Sequence, residues 1–443
     1  MFTHRGRHAS TDAHETALDC LEAGIRASLP AEVVSDAVSL ADAELRIHDA
    51  AYDLASVDRI VVLGGGKAAG GVARALENVL GDRLAGGIVV TTAGANADRV
   101  DVHEGDHPTP SERNVAGTRR VLEFARDAGE ETLVLAVVTG GASALWCRPA
   151  DGLSLADLQA TTDALLASGA SIDEINAVRK HCSAIKGGQL AREAAPATVA
   201  TLAISDVVGD DPSVIGSGPT VPDPSTFEDA LEVCERYDLE VPDAVAGRLE
   251  RGVAGEFAET PGRDDPAVRR AGWHLLANAR TAIDAAREAA RERGYETIVL
   301  SSRIRGEASE AGRFHAAVAE EIATVGDPVT PPAVVLSGGE TTVTIHGDGT
   351  GGPNQEFSLA VALELAATDT DAVCGSADTD GIDGPTDACG AIVDRETIDD
   401  ASEARGALAD NDAYTALEDA DALLETGYTG TNVNDLRVLV VDT

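Results

Sequence analysis

Residues 59–81, "RIVVLGGGKAAGGVARALENVLG", read as a buried strand, a tight glycine turn and an amphipathic helix. Ile60 to Leu63 are continuously apolar, Gly64, Gly65 and Gly66 interrupt the run, and Val72, Leu76 and Leu80 then recur at helical spacing. A strand that is apolar on both faces and feeds straight into a helix is the repeating unit of a parallel sheet covered on both sides.

The same unit recurs outward from this stretch. "GGIVVTTAG" (86–94) predicts the next strand, and the loop "EGDHPTPSERN" (104–114) leads into a helix. "TLVLAVVTGGAS" (132–143) and "ATVATLAISDVVGDD" (197–211) predict two further strands, bracketing helices at 154–168 and 172–194. Residues 14–50 read as helices with charged faces. The fold expected for residues 1–260 is therefore a Rossmann-like, doubly wound parallel sheet.

A stretch rich in Gly, Pro and charge at 249–272 is the expected hinge. Residues 261–443 then form a second, smaller α/β domain. Its expected elements are a helix at 273–294, a strand at 297–302, a helix at 306–324, a strand–turn–strand at 333–345, a helix at 355–367 and strands in "AVCGSADTDG" (372–381) and "LRVLVV" (436–441).

Asp and Glu number 76 against 34 Lys and Arg, a formal net charge of −42, which repels nucleic acid and anionic membranes. Only three of the basic residues are lysines, Lys67, Lys180 and Lys186. Dispersed acid, scarce lysine and few aromatics resemble a protein adapted to high salt, although GC-rich codon usage also favours Arg over Lys. The six cysteines lack CxxC spacing and read as reduced core residues. No apolar run is long enough to span a bilayer, so the expected location is the cytoplasm.

Five stretches carry candidate chemistry. Gly64, Gly65 and Gly66 end a strand and open a helix, a place where backbone N–H groups can face an anion; the alternative is a turn whose glycines only let strand and helix pack. Lys67 favours the anion. A Walker A loop is excluded by spacing, and a dinucleotide site is weakened because the next strand ends without the acidic residue that holds a ribose. The second stretch is Thr139 to Ser143, a second glycine turn with Gly140 and Gly141, in which Ser143 is expected to be an anion-binding hydroxyl and helix cap rather than a nucleophile.

The third is "SIDEINAVRKHCSAIKGGQLA" (171–191), where Asn176, Arg179, Ser183 and Lys186 share one helical stripe. Arg179, Lys180 and Lys186 make either a solvated basic face or a local positive field for an anionic substrate, while His181 reads as a packed histidine. The fourth is "ISDVVGDDPSVIGSGPT" (204–220), whose Asp206, Asp210, Asp211, Ser213, Ser217 and Thr220, with flexible glycines such as Gly218, suit either a metal-bound phosphate and a base or a polar, turn-rich loop. The fifth lies in the second domain: "SGGETTVTIHGDGTGGPNQEF" (337–357), "GSADTDGIDGPTDACGA" (375–391) and "GYTGTNVNDL" (427–436).

The segments "GGGKAA", "SIDEINAVRKHCSAIKGGQLA", "SDVVGDDPSVIGSGPTVPDP", "GGPNQEF", "DTDGIDGPTDACGA" and "GTNVNDL" resemble, in order, the glycerate 2-kinase family with a C-terminal MOFRL domain, some of whose members carry the label hydroxypyruvate reductase. The resemblance spans about residues 12–443. It implies transfer of the ATP γ-phosphoryl group, with Mg2+, to the 2-hydroxyl of D-glycerate, in a cleft between two α/β domains.

It also implies Lys67, Asp206 and Asp211 as catalytic residues. Substrate or nucleotide is expected on Gly64, Gly65, Gly66, Gly140, Gly141, Ser143, Asn176, Arg179, Lys180, Lys186, Ser213, Ser217, Gly218 and Thr220, and in the second domain on Asn354, Gln355, Glu356, Asp378, Thr379, Asp380 and Gly381. Metal ligands stay unassigned, and a homodimer is compatible with the resemblance. One departure stands out: relatives commonly carry arginine where this chain has Pro353, so Arg303 or Arg305, or the basic helix alone, is left to supply that charge. The rival functions are an NAD(P)H-dependent hydroxypyruvate reductase and a non-catalytic metabolite-binding protein.

Overall fold

The computed structural model describes residues 1–92 and 96–442. Ala93 and Gly94, at the end of the predicted second strand, lie outside the described residues. The chain divides into two compact units, one of residues 33–276 and one of residues 1–32 with 277–443.

The first unit opens with a three-stranded antiparallel meander, β1 (Val38–Ala41), β2 (Glu44–Ile47) and β3 (Ala50–Asp53). This corrects the helical expectation for 38–50. Two-residue turns at Asp42–Ala43 and His48–Asp49 connect the strands, and Asp42 and His48 both sit at φ 51°, a left-handed conformation that favours tight hairpins over helix.

The main sheet follows: β4 (Arg59–Gly65), β5 (Leu84–Thr91), β6 (Val100–Glu104), β7 (Thr132–Thr139), β8 (Thr198–Ile204) and β9 (Gly272–Ala277), in the order β6-β5-β4-β7-β8-β9. All pairs from β6 to β8 are parallel, as the continuous apolar runs predict. Val61, Leu63, Ile88, Val90, Val134, Ala136 and Val138 pack with Trp146 in one core. A second, helical core gathers around Phe227, with Leu165, Val178, Val245 and Leu249.

β9 was expected to be the start of a helix. The helix begins only at Ala279, because the Asn278 side chain caps it by accepting from the N–H groups of Arg280 and Thr281, leaving "GWHLLA" extended at the sheet edge. The helix expected over 172–194 is also broken, into Ile172–His181 and Gln189–Ala194. Gly187 and Gly188, at φ 59° and 79°, turn the chain between them, and Ser183 Oγ accepts from the N–H groups of Ile185 and Lys186. The single stripe through Asn176 and Lys186 therefore does not exist as a helix face.

The second unit carries β10 (Glu296–Ile304), β11 (Ala333–Gly339), β12 (Val373–Asp378), β13 (Gly390–Val393), β14 (Leu423–Leu424) and β15 (Asp435–Val441), ordered β10-β11-β15-β12-β13-β14. Only β10 and β11 are parallel; the other pairs are antiparallel. The strand expected after the turn at 340–341 does not form. Thr342 donates its N–H to Gly306 and Thr344 to the Glu307 carboxylate, so these amides are satisfied without a ladder.

The N-terminal helix Asp12–Ala27 joins this second unit, which departs from the expected division at 260. Its buried face, with Leu18, Leu21 and Ile25, packs on the helix Ala279–Glu292 and on β12 and β15. Gly24 allows the approach: a Cβ there would stand 2.8 Å from the Ala282 carbonyl oxygen. Arg293 Nε also donates to Thr16 Oγ1 at 2.8 Å. Among the described residues no helix is long and apolar enough to cross a membrane, and all six cysteines are free and buried.

Candidate functional site

In the first unit the sheet order reverses between β4 and β7: the chain runs outward from β4 through β5 and β6, then crosses back to β7. The crevice beyond the carboxyl ends of two such strands is where open α/β sheets bind ligands. The turn carrying Lys67 follows β4 and the turn carrying Gly140 and Gly141 follows β7, so the two glycine turns singled out in the sequence meet there.

The amides of the Lys67 turn are engaged within the protein and are not free to cradle an anion. Gly66 N–H donates to Val90 O at 3.2 Å, Lys67 N–H to Gly140 O at 2.8 Å, Ala68 N–H to Thr139 Oγ1 at 3.1 Å and Ala69 N–H to Gly66 O at 3.2 Å. The glycines are there for packing: a Cβ on Gly65 would lie 2.6 Å from the Trp146 ring, and Gly66, at φ 126°, presses on Thr139. What the turn presents is the half-buried side chain of Lys67.

Three side chains flank the Gly140–Gly141 turn. A Cβ on Gly141 would stand 3.3 Å from Lys67 Cγ and 3.1 Å from His107 Cδ2, while one on Gly140 would collide with the Asp206 carboxylate. Asp206 follows β8, so Lys67, His107 and Asp206 come from three separate strand ends. His107 was not singled out, although it lies in the quoted loop 104–114. Ser143 is not a cap; Gly141 is the N-cap of the short helix Ala142–Leu145. Its Oγ lies 3.2 Å from Ser217 Oγ, which donates to Asn176 Oδ1 at 2.9 Å.

The basic segment is not a solvated face. Lys180 Nζ pairs with Asp223 Oδ1 at 3.2 Å, with the side chains 5% and 0% exposed. Asp223 also accepts from Thr260 Oγ1 and Ser225 Oγ. Lys186 Nζ donates to the carbonyls of Ser143 at 2.7 Å and Trp146 at 3.3 Å, and burial pulls its pKa down to about 7. His181 is packed, against Phe227 and Glu259. Arg179 lines a pocket of about 250 Å³ together with His107, Gly141, Ser143, Cys147 and Lys186.

Asp206 and Asp211 do different things. Asp211 is exposed, its carboxylate accepts from Ser213 N–H at 2.8 Å, and its carbonyl accepts from Val214 and Ile215. With Ser213, Asn176 and Lys180 it lines a separate hollow of about 390 Å³. Thr220 is buried with its Oγ1 2.8 Å from Thr201 Oγ1, and the Gly218 carbonyl accepts from Gly188 N–H at 2.7 Å. Both are tied into the framework by these contacts.

The site residues expected in the second unit are hydrogen-bonded to neighbouring side chains and loops. Asn354 Nδ2 donates to Asp383 and Asp435, its N–H donates to Asp383, and its Oδ1 accepts from Ser376 Oγ. Gln355 donates its N–H to Asp383 and its Nε2 to Thr386, and Glu356 accepts from Asn411. Thr379 Oγ1 donates to the Asn434 carbonyl, Asp380 accepts from Ile382 N–H and Asn432, and Gly381, at φ 93°, packs on the Gly427 carbonyl.

Burial pushes the Asp378 carboxyl well above the usual carboxylate range, with Asp380 and Asp435 adding to it, and burial raises Asp383 to about 7. Asp383, Asp435 and Arg437, which donates to Asp435 at 2.6 Å, were not singled out; no local pattern separates the two aspartates from the many others of the chain or marks Arg437 as buried. Pro353 is the first residue of the helix Pro353–Thr368, the helical position proline favours. Arg303 and Arg305 are exposed.

Among the described residues no group of three or more His, Cys, Asp or Glu is placed to hold a metal ion. A magnesium ion bound through nucleotide phosphates needs only one or two carboxylates, and Asp206, beside the Lys67 turn, fits that requirement.

Comparison with known proteins extends this geometry. A family model described as a domain of unknown function, DUF4147, matches residues 16–250, and the MOFRL family model matches residues 333–435. A glycerate 2-kinase of Pyrococcus horikoshii is 40% identical over 97% of this chain and 98% of its own length. A candidate hydroxypyruvate reductase of Agrobacterium vitis is 43% identical over 86% of this chain and 99% of its own. The crystal structure of a glycerate kinase from Thermotoga maritima superposes with a TM-score of 0.85 at 38% identity, covering 96% of this chain and 99% of that one. With both family models matched in order and relatives aligned over nearly their full length, the chain belongs to the glycerate kinase family.

Proposed function

We propose that this protein is a glycerate 2-kinase, transferring the γ-phosphoryl group of ATP to the 2-hydroxyl of D-glycerate to give 2-phospho-D-glycerate and ADP. The observation that carries the proposal is the convergence of Lys67, His107 and Asp206 around the Gly140–Gly141 turn at the reversal of the sheet. Phosphoryl transfer asks for positioned charge more than for covalent chemistry, and here a lysine and a carboxylate from separate strand ends flank one glycine turn.

In this mechanism Asp206 accepts a hydrogen bond from the 2-hydroxyl and takes its proton as the oxygen bonds to the γ-phosphorus and the bond to ADP breaks. The Lys67 ammonium faces the phosphoryl oxygens as their charge shifts. Asp206, together with the nucleotide phosphates, would hold Mg2+, which would supply charge neutralisation. The backbone hydrogen bonds that occupy the turn's own amides fix Lys67 in place.

A nicotinamide-dependent reductase fits less well. β5 ends in Thr91, whose hydroxyl donates to the Lys67 carbonyl at 3.0 Å, so no carboxylate stands where a ribose would be held. The test is an ATP-dependent assay with D-glycerate, resolving 2- from 3-phosphoglycerate, beside an NADH assay with hydroxypyruvate. ATP-dependent formation of the 2-phosphate is expected; NADH oxidation without kinase activity overturns the proposal.

A further inference from the structure

The fold puts the three cations of residues 179–186 to three uses. Lys180 is neutralised by buried Asp223, and Lys186 braces the carbonyls of Ser143 and Trp146. Arg179, in a chain with 76 acidic residues, has no hydrogen-bond or ion-pair partner among the described residues. Nearby Arg248 is the contrast: it donates to His181 O at 2.7 Å and stacks on Phe257 at 4.6 Å.

Arg179 is half-buried in the pocket of about 250 Å³, between the apolar surfaces of Pro108, Pro110, Leu158 and Leu166 and the Gly141 turn. A guanidinium offers a planar fork of donors matched to the two oxygens of a carboxylate, and apolar walls strengthen that pairing by excluding water. Burial lowers the pKa of Arg179, with no neighbouring carboxylate to offset it.

We infer that Arg179 is the residue that clamps the carboxylate of the substrate acid, and so selects a 2-hydroxycarboxylate over an uncharged polyol. The inference rests on the glycerate kinase reading for the identity of the acid. Carboxylate and 2-hydroxyl sit on adjacent atoms of glycerate, whereas the 3-hydroxyl swings on a freely rotating bond. Fixing the first therefore fixes the second, beside the turn that holds Lys67.

The experiment compares wild type, Arg179→Met and Arg179→Lys as full chains, by steady-state kinetics with D-glycerate and by thermal-shift titration with D-glycerate and with glycerol in the absence of ATP. Loss of charge-assisted hydrogen bonds predicts a KM raised about 10- to 100-fold in Arg179→Met with kcat much less changed, and partial recovery in Arg179→Lys. D-Glycerate stabilises the wild type and not Arg179→Met, and glycerol stabilises neither. An unchanged KM, a fall in kcat alone, or undiminished stabilisation of Arg179→Met by D-glycerate overturns the inference. Where the wild type shows no kinase activity the functional proposal falls, and the titration still decides whether Arg179 holds the carboxylate.

Discussion

The loops at the reversal of the first unit's sheet and the loops around Asn354 in the second unit have the same composition, glycine with Asp, Asn, Ser and Thr, but opposite internal chemistry. Around Asn354 the polar groups satisfy one another: Asn354 uses its N–H, its amide nitrogen and its amide oxygen within the network. Beside Gly141, Arg179 is left facing a pocket. A loop rich in hydrogen-bonding residues is thus a framework or a binding site according to where its donors and acceptors end.

The largest expected effect tests whether Lys180 belongs with the framework. Lys180→Met strands a buried carboxylate at Asp223 and should cost about 3 to 5 kcal/mol in chemical denaturation, with Lys180→Met/Asp223→Leu regaining part of it. A ligand-binding Lys180 would instead raise KM at unchanged stability.

Next is Lys67, on the site side. Removing a cation from the transferred phosphoryl should cost about 3 kcal/mol, so Lys67→Ala should lower kcat about a hundredfold while its melting curve stays close to wild type. Near wild-type turnover would remove Lys67 from the mechanism, and full activity of Lys67→Arg would show that charge alone suffices.

Asn354→Ala sharpens the contrast from the other unit. It leaves acceptors on buried Asp383 and Asp435 unmatched, for a loss of about 2 kcal/mol in denaturant unfolding. A loss confined to substrate affinity would move Asn354 to the binding side.

The most gradual effect is a pH dependence. Burial raises Asp383 from the usual carboxylate range to about 7, so between roughly pH 4 and 7 the folded state holds a proton that the unfolded state has released. Stability from this group is full below pH 4 and falls as pH rises toward 7. Relative to Asp383→Asn, the wild type should lose less than about 1.4 kcal/mol per pH unit across that window; parallel curves would place the proton elsewhere.

Much of the fold was legible because its signals are local. The apolar runs of β4, β7 and β8 and the glycines ending β4 mark a parallel sheet without any knowledge of partners. The errors fell where a short-range pattern met a tertiary decision: residues 38–53 lack a long alternating run and become strands through left-handed turns at Asp42 and His48. The site was half legible, since Lys67 and the Gly140–Gly141 turn stand out in the sequence while His107 and the hydrogen bonds around Asn354 do not.

What the sequence alone determined is the strand–turn–helix succession of the first unit and the placement of all three lysines within motifs, since both follow from residue type and spacing. The tertiary structure decided that Lys180 and Lys186 are internal braces while Arg179 lines a pocket without such a partner among the described residues, and that the N-terminal helix packs with the C-terminal strands. The reason is range: Lys180 meets a partner 43 residues away and Arg293 one 277 residues away, and no local pattern encodes whether a charge will be met.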